Sequence, residues 1–278
     1  MHPALAQLLD DIRAREGRVT FVTGAGISAE SGIPTFRGAE GYWTVGAREY
    51  HPQEMATQAT YRRLPREVWH WYLYRRGVCR AAGPNDAHLA LARLAEGLGE
   101  RLHLITQNVD GLHLQAGSPA ARTYQVHGNI DYMRCGDGCS PTTYALPDGV
   151  PSKAKDEPLR DAEFDRLRCP RCGAVARPHI LWFDECYDEV LYQADSALKA
   201  AATCDLFITV GTSGAAALPM HATAVAANAG AAIVDINPAD NPFAAFAREQ
   251  PRGLWIRDNA CAILPTLVDR LLGEGVSA

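Results

Sequence analysis

The sequence predicts an α/β protein with a doubly wound parallel sheet and a second, smaller lobe. Short runs of apolar and β-branched residues recur along the chain, and helix-like stretches separate most of them. Strands that alternate with helices in this way pair in parallel, and the helices cross over the faces of the sheet. The predicted strands begin at Arg18, Arg101, Cys204, Ala231 and Gly253, with a further strand-like run just before His127.

The helices are predicted at residues 4–15, 65–80, 85–97, 187–202, 216–229 and 261–272, and several begin near a Pro, Asp or Asn. Two stretches interrupt the alternation: one rich in Trp and Tyr, and one rich in Cys, Pro and Asp. We therefore expect a large domain formed by residues 1–38, 84–127 and 178–278. A helical insertion at 39–83 and a module at 128–177 are expected to form the small lobe.

The composition excludes several classes of protein. The chain has 278 residues, of which 47% are hydrophobic, enough to bury a sizeable core. Its formal net charge is -5, from 27 basic and 32 acidic side chains, which is not the balance of a direct nucleic-acid binder. The most apolar stretch, residues 214–236, contains Pro219, His221 and Asn228, which argues against a membrane span.

The cysteines and the N-terminal segment indicate the compartment. The N-terminal segment has no basic region before an apolar run, so it lacks the pattern of a signal peptide. Without an export signal, the eight cysteines are expected to be reduced thiols or metal ligands. We expect a cytoplasmic protein.

A glycine-rich turn follows the first predicted strand at Gly24, Ala25 and Gly26. Such a turn lets the backbone approach a pyrophosphate, whose charge the N–H groups of the following helix start favour. The turn lacks the full spacing and the acidic residue of a dehydrogenase. By itself, it is at least as often a structural feature.

Polar residues follow the other predicted strands at their carboxyl ends, where open α/β sheets bind ligands. Gln107, Asn108 and Asp110 follow the second strand, and they could equally be the cap of a helix. Two further groups lie after the fourth and fifth strands, namely Gly211, Thr212 and Ser213, and Asn237. The sequence therefore predicts a ligand-binding crevice at this edge of the sheet.

Four cysteines have the spacing of metal ligands. Cys135 and Cys139 form a C-x3-C pair, Cys169 and Cys172 form a C-x2-C pair, and 29 residues separate the pairs. Two such pairs predict a tetrahedral zinc site. Since four thiolates fill the coordination shell, the zinc is expected to be structural.

Several strings of the sequence together resemble the sirtuin (Sir2) family of NAD-dependent protein lysine deacylases. GAGISAESGIPTFRG, residues 24–38, closely resembles the NAD-binding loop of that family. The resemblance continues in TQNVDGLH at 106–113, QVHGN at 125–129, RPHILWFDE at 177–185 and DNACAILPTL at 258–267. It implies a Rossmann-like NAD-binding domain and a zinc lobe.

The resemblance also implies the roles of individual residues. His127 is the expected catalytic base, chosen over His113 and His179, and Asn108 and Asp110 are expected to act at the nicotinamide ribose. The expected NAD contacts are Gly24, Ala25, Gly26, Ser28, Phe36, Arg37, Gln107, Asn108, Asp110, Gly211, Thr212, Ser213, Asn237 and Cys261. In that mechanism nicotinamide leaves, and the products are free lysine and O-acyl-ADP-ribose.

On the substrate side, Trp182 and Phe183 match the sirtuin segment that pairs with the backbone of the acyl-lysine protein. Tyr72 and Arg75, one helical turn apart, resemble the Tyr-x-x-Arg pair of the desuccinylase and demalonylase branch, in which the arginine binds the acyl carboxylate. The alternative is a surface pair on an amphipathic helix. Three residues depart from the family pattern: Arg62, Asn129 and Asp184.

Two other functions fit the same scaffold. One is an ADP-ribosyltransferase or NAD glycohydrolase, which would not need His127 for a second step. The other is a binding protein that senses NAD. The presence of the whole set Arg37, Asn108, Asp110 and His127 argues against it.

Overall fold

The computed structural model describes residues 1–34, 43–45 and 48–274, and within them the strands form three sheets. The strands are β1 Val19–Thr23, β2 Trp43–Val45, β3 Arg48–Tyr50, β4 Leu102–Thr106, β5 Thr123–Gln125, β6 Gly128–Cys135, β7 Thr143–Ala145, β8 Ala176–Ile180, β9 Leu206–Val210, β10 Ala232–Ile236 and β11 Gly253–Ile256. The helices are α1 Pro3–Ala14, α2 Pro52–Met55, α3 Gln58–Arg63, α4 Pro65–Ala81, α5 Asp86–Leu98, α6 Leu112–Gln115, α7 Asp161–Phe164, α8 Glu189–Tyr192, α9 Ala194–Ala202, α10 Ala217–Asn228, α11 Pro242–Glu249 and α12 Ala260–Leu272.

The main sheet has six parallel strands in the order β11-β10-β9-β1-β4-β5. The chain leaves β1 toward β4 on one side and leaves β9 toward β10 on the other, so the strand order reverses between β1 and β9. This is the doubly wound arrangement of Rossmann-like folds, which bind ligands outside the carboxyl ends of the strands at the reversal. The predicted fold class is confirmed.

Alternate side chains of each central strand point to opposite faces of the sheet. On one face, Phe21 and Ile208 join the apolar cluster that contains α1, α5 and α12. On the other, Val22 and Phe207 join the cluster that contains α9, α10 and α11. Burial on both faces explains why these strands appear in the sequence as continuous apolar runs.

A smaller antiparallel sheet, in the order β7-β6-β8, packs with α4 around a separate apolar cluster. Val68 and Leu73 of α4 and Met133 of β6 are buried there. Because β6 begins directly after His127 and β8 leads back toward the main sheet, this second cluster lies beside the carboxyl edge of the main sheet.

The predicted helix at 187–202 is wrong as one continuous element. It is split into α8 and α9 at Gln193, which adopts the left-handed conformation with φ 52°. The Asp188 carboxylate accepts a hydrogen bond from the Leu191 N–H and caps α8, and the Glu189 carboxylate accepts from Ser196 in α9. Among the residues described, no helix combines the length and apolar character that crossing a membrane requires.

Candidate active site

The glycine turn after β1 lies against the turn after β9, where the strand order reverses. The Gly26 N–H donates to the Gly211 carbonyl at 2.8 Å, and the Gly24 N–H donates to the Val210 carbonyl at 3.0 Å. A Cβ on Gly26 would lie 2.6 Å from the Cα of Gly211, so a larger residue would force the two turns apart. Ala25 begins the short 3-10 helix Ala25–Ser31. The glycines are therefore required for the close approach of two backbones.

A buried hydrogen-bond cluster lies beside this turn. The Asn108 side-chain amide donates to the Gly24 carbonyl at 3.1 Å and to the Ser28 hydroxyl at 3.0 Å. The Ser28 hydroxyl donates in turn to the Asp110 carboxylate at 2.8 Å, and the Leu112 N–H donates to its other oxygen at 2.9 Å. Burial raises the pKa of Asp110, and these two hydrogen bonds oppose that effect. Asp110 therefore both caps α6 and belongs to the cluster.

A second chain of contacts links the ends of three strands. The Gln107 side chain donates to the Thr212 hydroxyl at 2.8 Å, and the Asn237 side chain donates to the Thr212 carbonyl at 3.0 Å. Ser213 follows Thr212 in the same turn. The predicted polar residues after β4, β9 and β10 therefore converge at one edge of the sheet.

His127 is half-buried between β5 and β6, next to the end of β4. Burial lowers the pKa of His127 to about 4, against a smaller effect of its hydrogen bond to the Gln107 backbone. The imidazole is thus neutral at physiological pH and can accept a proton. Its Nε2 lies 2.8 Å from the hydroxyl of Tyr187, a residue that the sequence analysis assigned only to a helix.

The two competing histidines lie in packed surroundings. His113 is buried, with Nε2 2.9 Å from the Thr23 hydroxyl and its ring against His88. His179 is buried, and its ring stacks on Tyr192 at 5.5 Å between centroids.

The four cysteines meet in the small lobe, at the end of β6 and in the turn that precedes β8. Their sulfur atoms all lie within 4.8 Å of one another, with Cys135 and Cys172 at 3.5 Å and Cys139 and Cys169 at 3.6 Å. Tetrahedral zinc with bonds of about 2.3 Å separates its thiolates by about 3.8 Å. The cluster therefore fits a structural zinc ion, as the spacing predicts.

Two of the four residues predicted to bind the acyl-lysine, Tyr72 and Trp182, contact each other. The Trp182 indole N–H donates to the Tyr72 hydroxyl at 2.9 Å, and both side chains are buried. Arg75 is also buried, and its guanidinium lies 5.3 Å from the centre of the Trp71 ring. The alternative of a surface Tyr and Arg pair is therefore wrong. Phe183, by contrast, is 64% exposed.

Trp182 and Phe183 do not lie within a strand, because β8 ends at Ile180. The loop that follows is held by Glu185, whose carboxylate pairs with Arg177 and accepts the Trp182 N–H at 3.0 Å. This contact turns the chain away from the sheet. The two predicted substrate-pairing residues, Trp182 and Phe183, thus lie in the loop that follows β8.

Two of the residues that depart from the family pattern have structural partners. The buried Asn129 side chain donates to Gln125 at 2.7 Å and accepts the Asp131 N–H at 2.9 Å. Asp184 accepts backbone hydrogen bonds at the start of α3. Arg62 is an exposed residue of α3.

The remaining predicted NAD contacts are Phe36, Arg37 and Cys261. Phe36 and Arg37 fall outside the described residues. Cys261 lies at the start of α12, and its backbone N–H donates to Glu30 at 3.3 Å. Burial raises the pKa of the Cys261 thiol to about 11, so the thiol is not a reactive thiolate.

Comparison with known proteins agrees with this geometry. The Sir2 family profile matches residues 24–217. The chain is 39% identical over 266 residues to an NAD-dependent protein deacylase of Methylococcus capsulatus, which covers 95% of this chain and 96% of that protein. It is similar to the structure of a mutant Sir2 homologue in complex with 2'-O-acetyl ADP-ribose, with a TM-score of 0.76, 31% identity and full coverage of both chains (100%). It is also similar to a Sir2 homologue–NAD complex, with a TM-score of 0.74, 32% identity and coverage of 95% and 93%. The chain therefore belongs to the Sir2 family.

Proposed function

We propose that this chain is an NAD-dependent protein lysine deacylase that releases nicotinamide and O-acyl-ADP-ribose. The observation that carries the proposal is a neutral imidazole, His127, in contact with the Gln107 backbone and hence beside the Asn108–Ser28–Asp110 cluster. A base next to a preformed polar cluster suits a reaction in which a sugar hydroxyl is deprotonated. The names of the relatives, a protein deacylase and complexes with NAD and an acetylated ADP-ribose, support it.

The co-substrate NAD would lie across the reversal of the strand order. Its pyrophosphate would lie at the turn after β1, where the short helix Ala25–Ser31 begins and its first N–H groups favour a negative charge. The side of Thr212 and Asn237 would hold the adenosine half, and the side of Asn108 and Asp110 would hold the nicotinamide half. When NAD is bound, loss of nicotinamide supplies the electrophilic ribose carbon that the acyl oxygen attacks.

The chain's own residues would then complete the reaction. The Asp110 carboxylate and the Asn108 amide would stabilise charge that develops at the ribose, in a site partly screened from water. His127 would accept the proton of the ribose hydroxyl that attacks the acyl carbon. The zinc would hold the small lobe in shape without contact with the reacting atoms.

We further propose that the enzyme prefers acyl chains that end in a carboxylate, as in succinyl- or malonyl-lysine. The Tyr72 hydroxyl accepts from Trp182, which leaves its own hydrogen available to donate, and Arg75 is buried three residues further along α4. A phenol and a buried guanidinium together suit a carboxylate.

We also infer a cytoplasmic, reducing compartment. All eight cysteines lie in the described part of the chain and none forms a disulfide, and a four-thiolate zinc site is stable where thiols stay reduced.

The function is tested with purified protein, NAD and a lysine-acylated peptide, by measuring deacylated peptide and released nicotinamide. The wild-type protein should form both in equal amounts. His127→Ala should lose deacylation while it still exchanges labelled nicotinamide into NAD, because the first step needs no base. Nicotinamide release that ignores the peptide would instead indicate a glycohydrolase or a transferase.

The acyl preference needs its own comparison of acetyl, succinyl and longer aliphatic acyl groups on one peptide. Arg75→Met should lose succinyl turnover and keep acetyl turnover. Arg80→Met is the matched control, since Arg80 lies on the same helix but is 54% exposed and pairs with Asp131. Equal acetyl and succinyl turnover in the wild-type protein would contradict the preference and leave the family assignment intact.

A further inference from the structure

The Tyr187 hydroxyl forms a hydrogen bond with the nitrogen of His127 that would accept a proton. This hydroxyl lies 2.8 Å from His127 Nε2, and the two rings are 5.8 Å apart between centroids. The other ring nitrogen of His127 is left for the hydrogen bond to the Gln107 backbone, whose carbonyl accepts from an N–H. Nε2 is then the nitrogen with the free electron pair, and Tyr187 donates its hydrogen to that pair.

Tyr187 stays protonated, and packing holds its ring in the position that this hydrogen bond requires. Burial raises the pKa of Tyr187 to about 12, so its hydroxyl keeps its proton at physiological pH. The ring packs against the apolar cluster between the main sheet and α9. Side chains such as Val126 and Ala197 form that cluster, and they restrict the ring to this position.

The backbone around Tyr187 is fixed on both sides. Two residues earlier, the Glu185 carboxylate pairs with Arg177 and also accepts the Trp182 N–H at 3.0 Å. One residue later, the Asp188 carboxylate caps α8 through the Leu191 N–H at 2.7 Å. These two anchors hold Tyr187 in place, and its hydroxyl covers Nε2, the nitrogen of His127 that would accept a proton from a ribose hydroxyl.

We propose that Tyr187 relays the proton from the ribose hydroxyl to His127 in the second step of the reaction. The ribose O–H bond breaks as its electron pair forms the bond to the acyl carbon. The π pair of the carbon–nitrogen double bond moves to the lysine nitrogen, and the hydroxyl proton passes to the Tyr187 oxygen. The original hydroxyl proton of Tyr187 passes at the same time to His127 Nε2, which becomes an imidazolium. No tyrosinate forms, and the charge lost at the acyl carbon appears on His127. The inference rests on the proposed deacylase function.

The test compares Tyr187→Phe with the wild-type protein in both half-reactions. The substitution keeps the ring and its packing and removes only the hydroxyl. We expect deacylation to fall by about 10²-fold or more, the usual contribution of a proton-transfer group, with nicotinamide exchange retained. The solvent isotope effect in mixtures of H2O and D2O should change from a curved dependence, for two protons in motion, to a linear one. A merely structural role would not produce this change.

Tyr124→Phe is the matched control. Tyr124 packs against the same apolar cluster and stacks on His103 at 5.9 Å, and its substitution should leave both half-reactions and the isotope dependence unchanged. Wild-type deacylation in Tyr187→Phe would overturn the relay, since His127 would then receive the proton directly. Loss of nicotinamide exchange together with deacylation would also overturn it, because the tyrosine would then act in binding. If the folded wild-type protein deacylates no acyl peptide, the proposed function itself fails.

Discussion

The carboxylate of Asp184 accepts a hydrogen bond from the backbone N–H of Gln58 at 2.7 Å. Its second oxygen accepts the N–H of Ala59 at 3.1 Å, so one side chain satisfies two free donors at the start of α3. The negative charge also lies at the end of the helix where its dipole is positive. The loop after β8, which contains Phe183, is thereby tied to the helical insertion of the small lobe.

Asp184→Gly is expected to lower the free energy of unfolding by about 1 kcal/mol, because two helix N–H groups lose their acceptor. Asp184→Asn, which keeps one acceptor oxygen, should lose less. Chemical denaturation of the three proteins measures the difference. Equal stability of the wild-type protein and Asp184→Gly would show that solvent replaces the carboxylate at no cost.

Ser28→Ala is expected to impair nicotinamide exchange and deacylation together, by about tenfold or more. The Ser28 hydroxyl connects the Asn108 amide to the Asp110 carboxylate, and without it two buried polar groups lose a partner. Steady-state rates of both half-reactions test this. Slower deacylation with unchanged nicotinamide exchange is the pattern expected of His127→Ala. The same pattern in Ser28→Ala would contradict this role of the cluster.

The sequence predicts those features that depend on local spacing. The zinc site can be predicted from the sequence because its ligands come as two closely spaced pairs, which begin at Cys135 and end at Cys172. The strands of the main sheet can be predicted because they are buried on both faces and therefore consist of continuous apolar runs. The glycine turn at Gly24 is visible for a similar reason, since close backbone contact excludes side chains.

Features that depend on distant partners are not visible in this way. Tyr187 is 60 positions from His127, and no local pattern links a tyrosine in a predicted helix to an imidazole. Asp184 is recognisable as a departure from the family, but its role depends on the start of α3, 126 positions earlier. For the split helix a signal exists, since Asp188 is a favourable cap that places a helix start at Glu189.

Zinc removal is expected to unfold the small lobe and abolish activity, because the metal would join the end of β6 to the turn before β8 and its binding free energy would contribute to folding. Metal analysis should find one zinc per chain, and Cys172→Ser should lose it and unfold at a lower temperature. Cys186→Ser is the control, since this exposed cysteine lies outside the cluster. Full zinc content in Cys172→Ser would contradict the site.

Stability is expected to fall as the pH is lowered from about 6.5 toward 4. Burial lowers the pKa of His88, His127 and His179 to about 4, against about 6.5 in the unfolded chain. Between these values the unfolded chain binds protons that the folded chain does not, so each histidine lowers the free energy of unfolding by up to about 1.4 kcal/mol per pH unit. Above pH 6.5 they contribute no pH dependence.

Denaturation at several pH values from 7 to 5 measures this slope. Replacement of one of the three, as in His179→Gln, should make the slope shallower. A free energy of unfolding that stays constant over this range would show that the imidazoles are accessible to protons in the folded state.

Identification of the acyl product tests the central claim most directly. The purified protein is incubated with NAD and peptides that carry acetyl- or succinyl-lysine, and the products are resolved by mass spectrometry. We predict equal amounts of nicotinamide, deacylated peptide and O-acyl-ADP-ribose. Free ADP-ribose with an intact acyl peptide, or no NAD consumption at all, would contradict the assignment of this chain as a protein lysine deacylase.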